Sequence, residues 1–330
     1  MKTYAAYTAG LEINPSSNMF LRPEGKSGTT SSLFGSADYS RDKATISYGF
    51  NLGLVENYQG LQIHRHSLDV SYLHAANDKF ACNTVIEGSL SKFGNVTTLE
   101  GYNNLRISSN IRAYSSDSVL LRWRGTVGRR SFNTFDRENF NEATALFRLD
   151  KFLSTGTTLR GQLDAGFRKY YEQASTPSIT LLGVSARVAQ SLKPGFGTMI
   201  EAYTRKAKDS SSKESSLVYN RVFLDDIYKY SSVGIMAGMT LLIRRINSVQ
   251  LRVAYTERSY NDSQTSYFSY LPPGGWREFE RGAYLNIKYR PSFIAESLQP
   301  SCMLYHIDIN SSEKRFSCKS TGLVFRLEIR

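Results

Sequence analysis

The sequence predicts an all-β fold, namely an antiparallel up-and-down transmembrane β-barrel of about sixteen strands, with fourteen or eighteen as the nearest alternatives. Three observations lead to this prediction. Apolar and polar side chains alternate strictly in segments along the whole chain, and long polar connections alternate with tight turns. The chain is also rich in tyrosine (21) and phenylalanine (18) but has only 8 prolines, a composition that favours strands over loops.

The alternation is clearest over residues 156–168. Leu159 and Leu163 share one face with other small or apolar residues, whereas Arg160 and Asp164 lie on the opposite face. A helix would need apolar residues three and four positions apart, where this segment carries charge. The segment therefore predicts a strand with lipid or core on one side and a wet, charged space on the other.

The same test, applied from the N-terminus, predicts about sixteen strands in all. They cover residues 2–13, 29–39, 42–55, 60–74, 79–92, 103–114, 117–129, 138–150, 156–170, 178–191, 196–206, 229–243, 247–259, 278–290, 301–309 and 318–330. Most are longer than the roughly five or six residues of strands in soluble sheets.

The connections alternate in length along the chain. Short turns such as Ser40–Arg41 and Lys193–Gly195 separate long connections such as 14–28, 207–228 and 260–277. Long loops at one end and tight turns at the other are typical of membrane barrels with an even number of strands. A soluble sandwich with Greek-key connections is not expected to alternate long and short connections in this way.

We expect a single barrel domain over residues 1–330, with any periplasmic part lying upstream of this chain. The sequence has no apolar run of about 18 residues, so no transmembrane helix is expected. The mean hydropathy of −0.36 does not argue against a barrel, because half of each barrel strand is polar. A soluble all-β protein with its apolar faces buried inside is the competing structural hypothesis.

The last predicted strand carries the most specific resemblance. Leu323, Phe325, Leu327 and Ile329 alternate with polar residues, so the segment resembles the C-terminal strand that the barrel assembly machinery reads, although it ends in Arg330. The chain as a whole resembles bacterial outer-membrane β-barrel proteins of the porin-like or exporter-like class. This resemblance implies a location in the bacterial outer membrane, with outer-membrane lipid and the barrel assembly machinery as partners.

If the apolar face meets lipid, the polar face lines the lumen. The formal charge of the chain is +12, and the predicted lumenal face carries thirteen cations and nine anions, Asp308 among them, an excess of four positive charges. On predicted strands six to ten, only Glu142 and Asp164 oppose a stripe of arginines. The stripe consists of Arg106, Arg112, Arg122, Arg124, Arg148, Arg160, Arg168 and Arg187.

Arginine has a fixed charge and a planar fork that matches carboxylate and phosphate groups. The stripe therefore predicts a pore or export conduit for anionic small molecules or acidic polysaccharide, and we expect no nucleic-acid partner. The alternative is a ladder of arginine–carboxylate pairs that braces the wall of a plugged, structural or surface-binding barrel.

One long loop concentrates aromatic residues around Pro272–Gly275. Tyr267, Tyr270 and Trp276 are its candidate constriction or ligand-binding residues. The competing interpretation is a loop cap packed by its own side chains.

Catalytic and metal-binding motifs are weak. His64 and His66 share a strand face without an evident third ligand. His306 and Asp308 also share a face, as a hydrolase pair would, but sixteen strands rich in serine offer such pairs by chance. The sequence has no nucleophile elbow, phosphate-binding glycine loop or dinucleotide fingerprint. We therefore predict no catalytic residue, no metal and no cofactor.

The chain has three cysteines, so one must stay unpaired within the chain. Cys302 and Cys318 lie on the last two predicted strands. They are interpreted either as a disulfide or as two unrelated small residues.

Overall fold

The structure, a computed structural model, describes residues 3–16, 27–56, 62–94, 101–132, 139–171, 178–209, 230–244, 247–260, 277–290, 297–312 and 317–329. These residues form sixteen strands. The strands are β1 Thr3–Ser16, β2 Gly28–Arg41, β3 Ala44–Val55, β4 Gln62–Ala76, β5 Phe80–Gly94, β6 Tyr102–Ser116, β7 Val119–Phe132, β8 Phe140–Phe152, β9 Thr157–Tyr170, β10 Ser178–Lys193, β11 Phe196–Asp209, β12 Tyr230–Arg244, β13 Asn247–Tyr260, β14 Arg277–Lys288, β15 Leu298–Ser311 and β16 Cys318–Ile329.

Every strand pairs antiparallel with its neighbours in sequence, and β1 pairs with β16 to close the barrel. The predicted antiparallel barrel of sixteen strands is therefore confirmed. Strand ends differ from the prediction by a few residues, since β15 begins at Leu298 and β11 continues to Asp209. No helix in the described ranges is long and apolar enough to cross a membrane.

The apolar face of the strands is the outer face of the barrel. Leu105, Val127 and Leu163 are each more than half exposed, and cross-strand partners such as Leu163 and Val184 continue the same apolar surface. Such an apolar band around a closed barrel is the surface that a bilayer covers. The soluble alternative, with these faces buried inside, is wrong.

The two ends of the barrel differ. Tight turns join β2 to β3, β9 to β8 and β10 to β11, with a left-handed φ of 55° at Asp42, 76° at Gly156 and 80° at Gly195. A left-handed residue lets a hairpin turn match the twist of its strands, and glycine and aspartate adopt it readily. Most of the longer connections lie at the opposite, long-loop end, whereas the nine residues 289–297 between β14 and β15 lie at the tight-turn end.

Inside the barrel, aromatic rings cover glycines on neighbouring strands. A Cβ atom at Gly322 would lie 2.3 Å from the hydroxyl oxygen of Tyr305, and one at Gly234 would lie 2.6 Å from that of Tyr203. Each ring therefore lies flat against the wall where the glycine leaves room, an arrangement that stabilises glycine-containing strands.

The two candidate disulfide cysteines lie on opposite faces. Cys302 is paired in register with Phe325 on the outer face, whereas Cys318 is buried on the lumenal face, and neither forms a disulfide. Their Cβ atoms point to different sides of the wall, so they cannot form a disulfide. The interpretation as two unrelated small residues is the one observed.

Candidate functional site

The predicted arginine stripe lies on the lumenal face of five neighbouring strands, β6 to β10. Strand register brings its members side by side, because Arg112 is opposite Arg122, and Arg122 is opposite Arg148. Arg160 is likewise opposite Arg187. All eight predicted residues share this face: Arg106, Arg112, Arg122, Arg124, Arg148, Arg160, Arg168 and Arg187.

Near the long-loop end, two of these arginines neutralise one carboxylate. Arg106 Nη2 lies 3.1 Å from Glu142 Oε1, and Arg168 Nη2 lies 2.8 Å from Glu142 Oε2. The side chains of Arg168 and Glu142 are only 4% and 7% exposed. Arg168 also lies 3.6 Å from the ring centroid of Phe140. This buried network braces the wall, as the alternative interpretation of the stripe predicted.

Near the tight-turn end, a single buried carboxylate meets three guanidinium groups. Asp150 accepts hydrogen bonds from Arg160 Nε at 2.6 Å and from Arg148 Nε at 2.9 Å. Arg122 Nε lies 3.8 Å from the same carboxylate. Like charges directly opposite on adjacent strands repel, and Asp150 offsets that repulsion here. One negative charge cannot neutralise three positive ones, so the group stays cationic.

Three further arginines surround this group. Within the described part of the chain, Arg112, Arg124 and Arg187 form no ion pair with a carboxylate, although Glu201 is opposite Arg187 in register. Arg124 donates a hydrogen bond to Ser108 Oγ at 3.3 Å. We call Arg112, Arg122, Arg124, Arg148, Arg160 and Arg187 the basic belt. The belt is accessible from the lumen, since Arg112 and Arg124 are exposed.

The lumenal wall beside the stripe is acidic. Asp38 on β2, Asp69 on β4 and Glu87 on β5 lie in one cross-strand row, linked through Ser47 of β3. A cavity of about 480 Å³ lies against β1 to β6 and β16. Negative and positive charge are therefore separated around the lumen.

Sequence comparison identifies no relative: no protein-family model and no curated protein matches the chain. Solved structures do resemble it. OpdK from Pseudomonas aeruginosa aligns with a TM-score of 0.56 at 8% identity, covering 99% of both chains. OprD from Pseudomonas aeruginosa aligns at 0.53 and 8% identity, covering 98% of this chain and 94% of its own. A bacterial polysaccharide outer membrane secretin aligns at 0.53 and 10% identity, covering 98% of each chain.

Its fold is that of a bacterial outer-membrane β-barrel. With its apolar outer face, this fold places the chain in a bacterial outer membrane. In such barrels the tight turns face the periplasm and the long loops face the outside of the cell. The basic belt accordingly lies in the periplasmic half of the barrel wall, and the Arg106–Glu142–Arg168 network lies in the extracellular half.

The structure corrects the lumenal charge assignment in detail. Asp308 was expected in the lumen, but it lies on the outer face, where Lys319 Nζ is 3.6 Å from its Oδ2 atom. The lumen gains Arg65, Arg130, Asp150, Glu278 and Glu280, so the excess of four positive charges remains. Asp150 is the important omission, and its even spacing from Glu142 and Arg148 on one strand could have revealed it.

The candidate hydrolase and metal residues lie on the outer face. His306 shares that face with Asp308 and bonds Thr321 Oγ1 at 2.8 Å, so this pair does not reach the lumen. His66 Nδ1 lies 2.8 Å from the hydroxyl oxygen of Tyr48, and His64 Nε2 lies 3.3 Å from Gln62 Oε1.

The aromatic loop residues Tyr267, Tyr270 and Trp276 lie outside the described residues. Their role as a constriction or ligand-binding loop stays a prediction.

Proposed function

We propose that this barrel is a passive outer-membrane pore or export conduit whose basic belt favours anionic solutes. The observation that carries the proposal is the belt itself, six arginines on adjacent strands. Asp150 forms ion pairs with three of them, and Glu201 is the register partner of Arg187. A fixed positive field on the lumenal wall attracts anions and repels cations. Guanidinium forks add geometric preference for carboxylate and phosphate groups.

The solute class follows from the extent of the belt. Five neighbouring strands about 4.8 Å apart span roughly 20 Å of wall, enough to contact several charged groups at once. Small organic anions and acidic polysaccharide both meet this requirement. The likeness to a solved polysaccharide outer membrane secretin, although limited to the fold, adds support for the polymer.

A plugged structural barrel is the second candidate, and one observation favours it. Lumenal wall residues near the long-loop end are almost fully buried, including Phe140, Leu181 and Ala207. Wall residues of an unobstructed channel would be more exposed. We propose no catalytic activity, because the His306–Asp308 pair faces away from the lumen.

Ion selectivity tests the conduit. The protein is reconstituted in a planar bilayer under a salt gradient, and the reversal potential is measured. We expect preference for anions, weakening as the screening length falls from about 10 Å at 0.1 M salt to about 3 Å at 1 M. The triple variant R112Q/R124Q/R187Q removes the belt charges that have no ion pair in the described part of the chain, and its reversal potential should move toward cation selectivity.

The matched control R129Q/K169Q/K206Q removes the same charge from the outer face and should keep the anion preference of the wild type. A cation-selective or unselective wild-type current would refute the anionic preference. If the wild type carries no current at all, the lumen is obstructed and the arginines serve to brace the wall.

A further inference from the structure

The outer face of the barrel carries a basic cluster that the conduit does not use. The cluster consists of Arg129 on β7, Lys169 on β9 and Lys206 and Lys208 on β11. All four side chains are exposed, and strand register places them on the lipid-facing side near the long-loop end. The cluster therefore lies where the barrel wall meets the headgroups of the outer leaflet.

One of these cations, Arg129, contacts an aromatic ring, and Lys169 lies in the same cross-strand row. Arg129, Asn141 and Lys169 are consecutive cross-strand partners, so the two cations flank the amide of Asn141. The guanidinium of Arg129 lies 5.1 Å from the ring centroid of Tyr171, and the Asn141 amide donates a hydrogen bond to the Tyr171 hydroxyl. Arg129 and Lys169 lie two strands apart, so their backbones are about 10 Å from each other. Both side chains are long enough to contact one anion bound between them.

Among the described residues, no carboxylate on the outer face lies beside this cluster. At the outward positions of the described strands the carboxylates are Glu257 and Asp308, and both lie on other strands with partners of their own. Arg277 Nη1 is 3.7 Å from Glu257 Oε1, and Lys319 pairs with Asp308. The four cluster cations form no ion pair with any described carboxylate.

Unbalanced cations beside a bilayer are stabilised by anionic headgroups, since each basic residue near the surface adds to the attraction. Amide and hydroxyl donors next to arginine match the oxygens of a phosphate. The cluster offers one pair of cations on β7 and β9 and a second pair on β11. Exposed apolar side chains lie beside the second pair, since Leu182 is opposite Lys206 and Phe167 is in the same cross-strand row as Lys208.

We propose that this cluster is a binding site for a phosphate-bearing lipid of the outer leaflet, with phosphate groups at the cations and acyl chains along the apolar wall. The site is separate from the lumen, so it does not depend on conduction. It would order the annular lipid on one side of the barrel, along β7 to β11.

Native mass spectrometry of the folded barrel in non-ionic detergent tests the site. The probes are a disaccharide lipid with two phosphates, the same lipid with both phosphates removed, and inorganic phosphate. We expect the phosphorylated lipid to bind at least about tenfold more tightly than its dephosphorylated form. The variant R129Q/K169Q/K206Q/K208Q should lose that preference.

The matched comparison uses two variants that each remove two outward charges. R129Q/K169Q should weaken binding of the phosphorylated lipid, whereas K151Q/R281Q, which changes outward cations away from the cluster, should bind like the wild type. All variants should show the same heat-dependent gel mobility as the wild type, which establishes that they are folded. Equal lipid affinity of the cluster variants and the wild type would overturn the proposal. Binding of inorganic phosphate as tight as that of the lipid would instead show a free-phosphate site and overturn the lipid assignment.

Discussion

At the scale of single residues, Gly128 makes the Arg106–Glu142–Arg168 network possible. It lies on β7 between Arg106 on β6 and Glu142 on β8, in the same cross-strand row. Arg106 reaches across this strand to its carboxylate because no side chain stands between them. A Cβ atom at Gly128 would lie 2.8 Å from Arg106 Cγ and 3.0 Å from the carbonyl oxygen of Leu105.

The variant G128V should therefore displace Arg106 and leave Glu142 bound to Arg168 alone. Overpacking of this kind costs about 1–3 kcal/mol, and the backbone carbonyl contact prevents relief by a simple side-chain rotation. The measurement is the temperature at which the folded barrel loses its compact gel mobility, which should fall.

The control for this prediction is G161A. Gly161 lies on the outer face of β9, and a Cβ atom there would meet nothing within 4 Å. Its unfolding temperature should match that of the wild type. An unchanged temperature for G128V would show that Arg106 can reach Glu142 by another route.

At the scale of one strand, the two faces should tolerate charge very differently. Leu285 and Asn286 are consecutive residues of β14, with Leu285 opposite Leu304 on the outer face and Asn286 opposite Gln250 on the lumenal face. L285R should cost about 2–4 kcal/mol, because an arginine at the bilayer midplane loses its hydration. The N286R variant places its charge in the water of the lumen, so its free energy of unfolding should be close to that of the wild type.

Folding of the two variants into lipid vesicles, followed by denaturant titration, measures this difference. L163R is expected to behave like L285R, since Leu163 is also an outward residue in the middle of its strand. Equal stability of L285R and N286R would mean that the faces of the strand are assigned to the wrong sides.

At the scale of the whole molecule, closure of the sheet governs stability. β1 and β16 are joined in register from Ala9 opposite Ile329 to Ser16 opposite Gly322, and this pairing along the second half of β1 closes the barrel. A closed barrel satisfies its backbone hydrogen bonds between strands and resists detergent. The unheated protein should therefore migrate differently from the boiled protein on a detergent gel, and identical migration together with solubility without detergent would contradict the membrane barrel.

The sequence by itself determined the strands and, for most of them, the two faces. Alternation with period two is set by backbone geometry within each strand, so residues such as Leu163 and Arg160 could be assigned to sides without knowing their neighbours. The alternation of long and short connections added the antiparallel order and the even strand number. The alternation rule assigned Asp308 of β15 to the wrong face. In that strand the lumenal residues Tyr305 and Ile307 are aromatic or apolar, and Asp308 points outward.

Only the tertiary structure decided which charges meet. Register between strands, fixed by hydrogen bonding around the closed sheet, brings Arg122 and Arg160 to Asp150 and aligns Gly128 with Arg106 and Glu142. The same register divides the predicted stripe into an extracellular half, where two arginines share one carboxylate, and a more strongly cationic periplasmic half. Such pairings join residues far apart in the chain, and the sequence pattern within one strand carries no information about the register of the next.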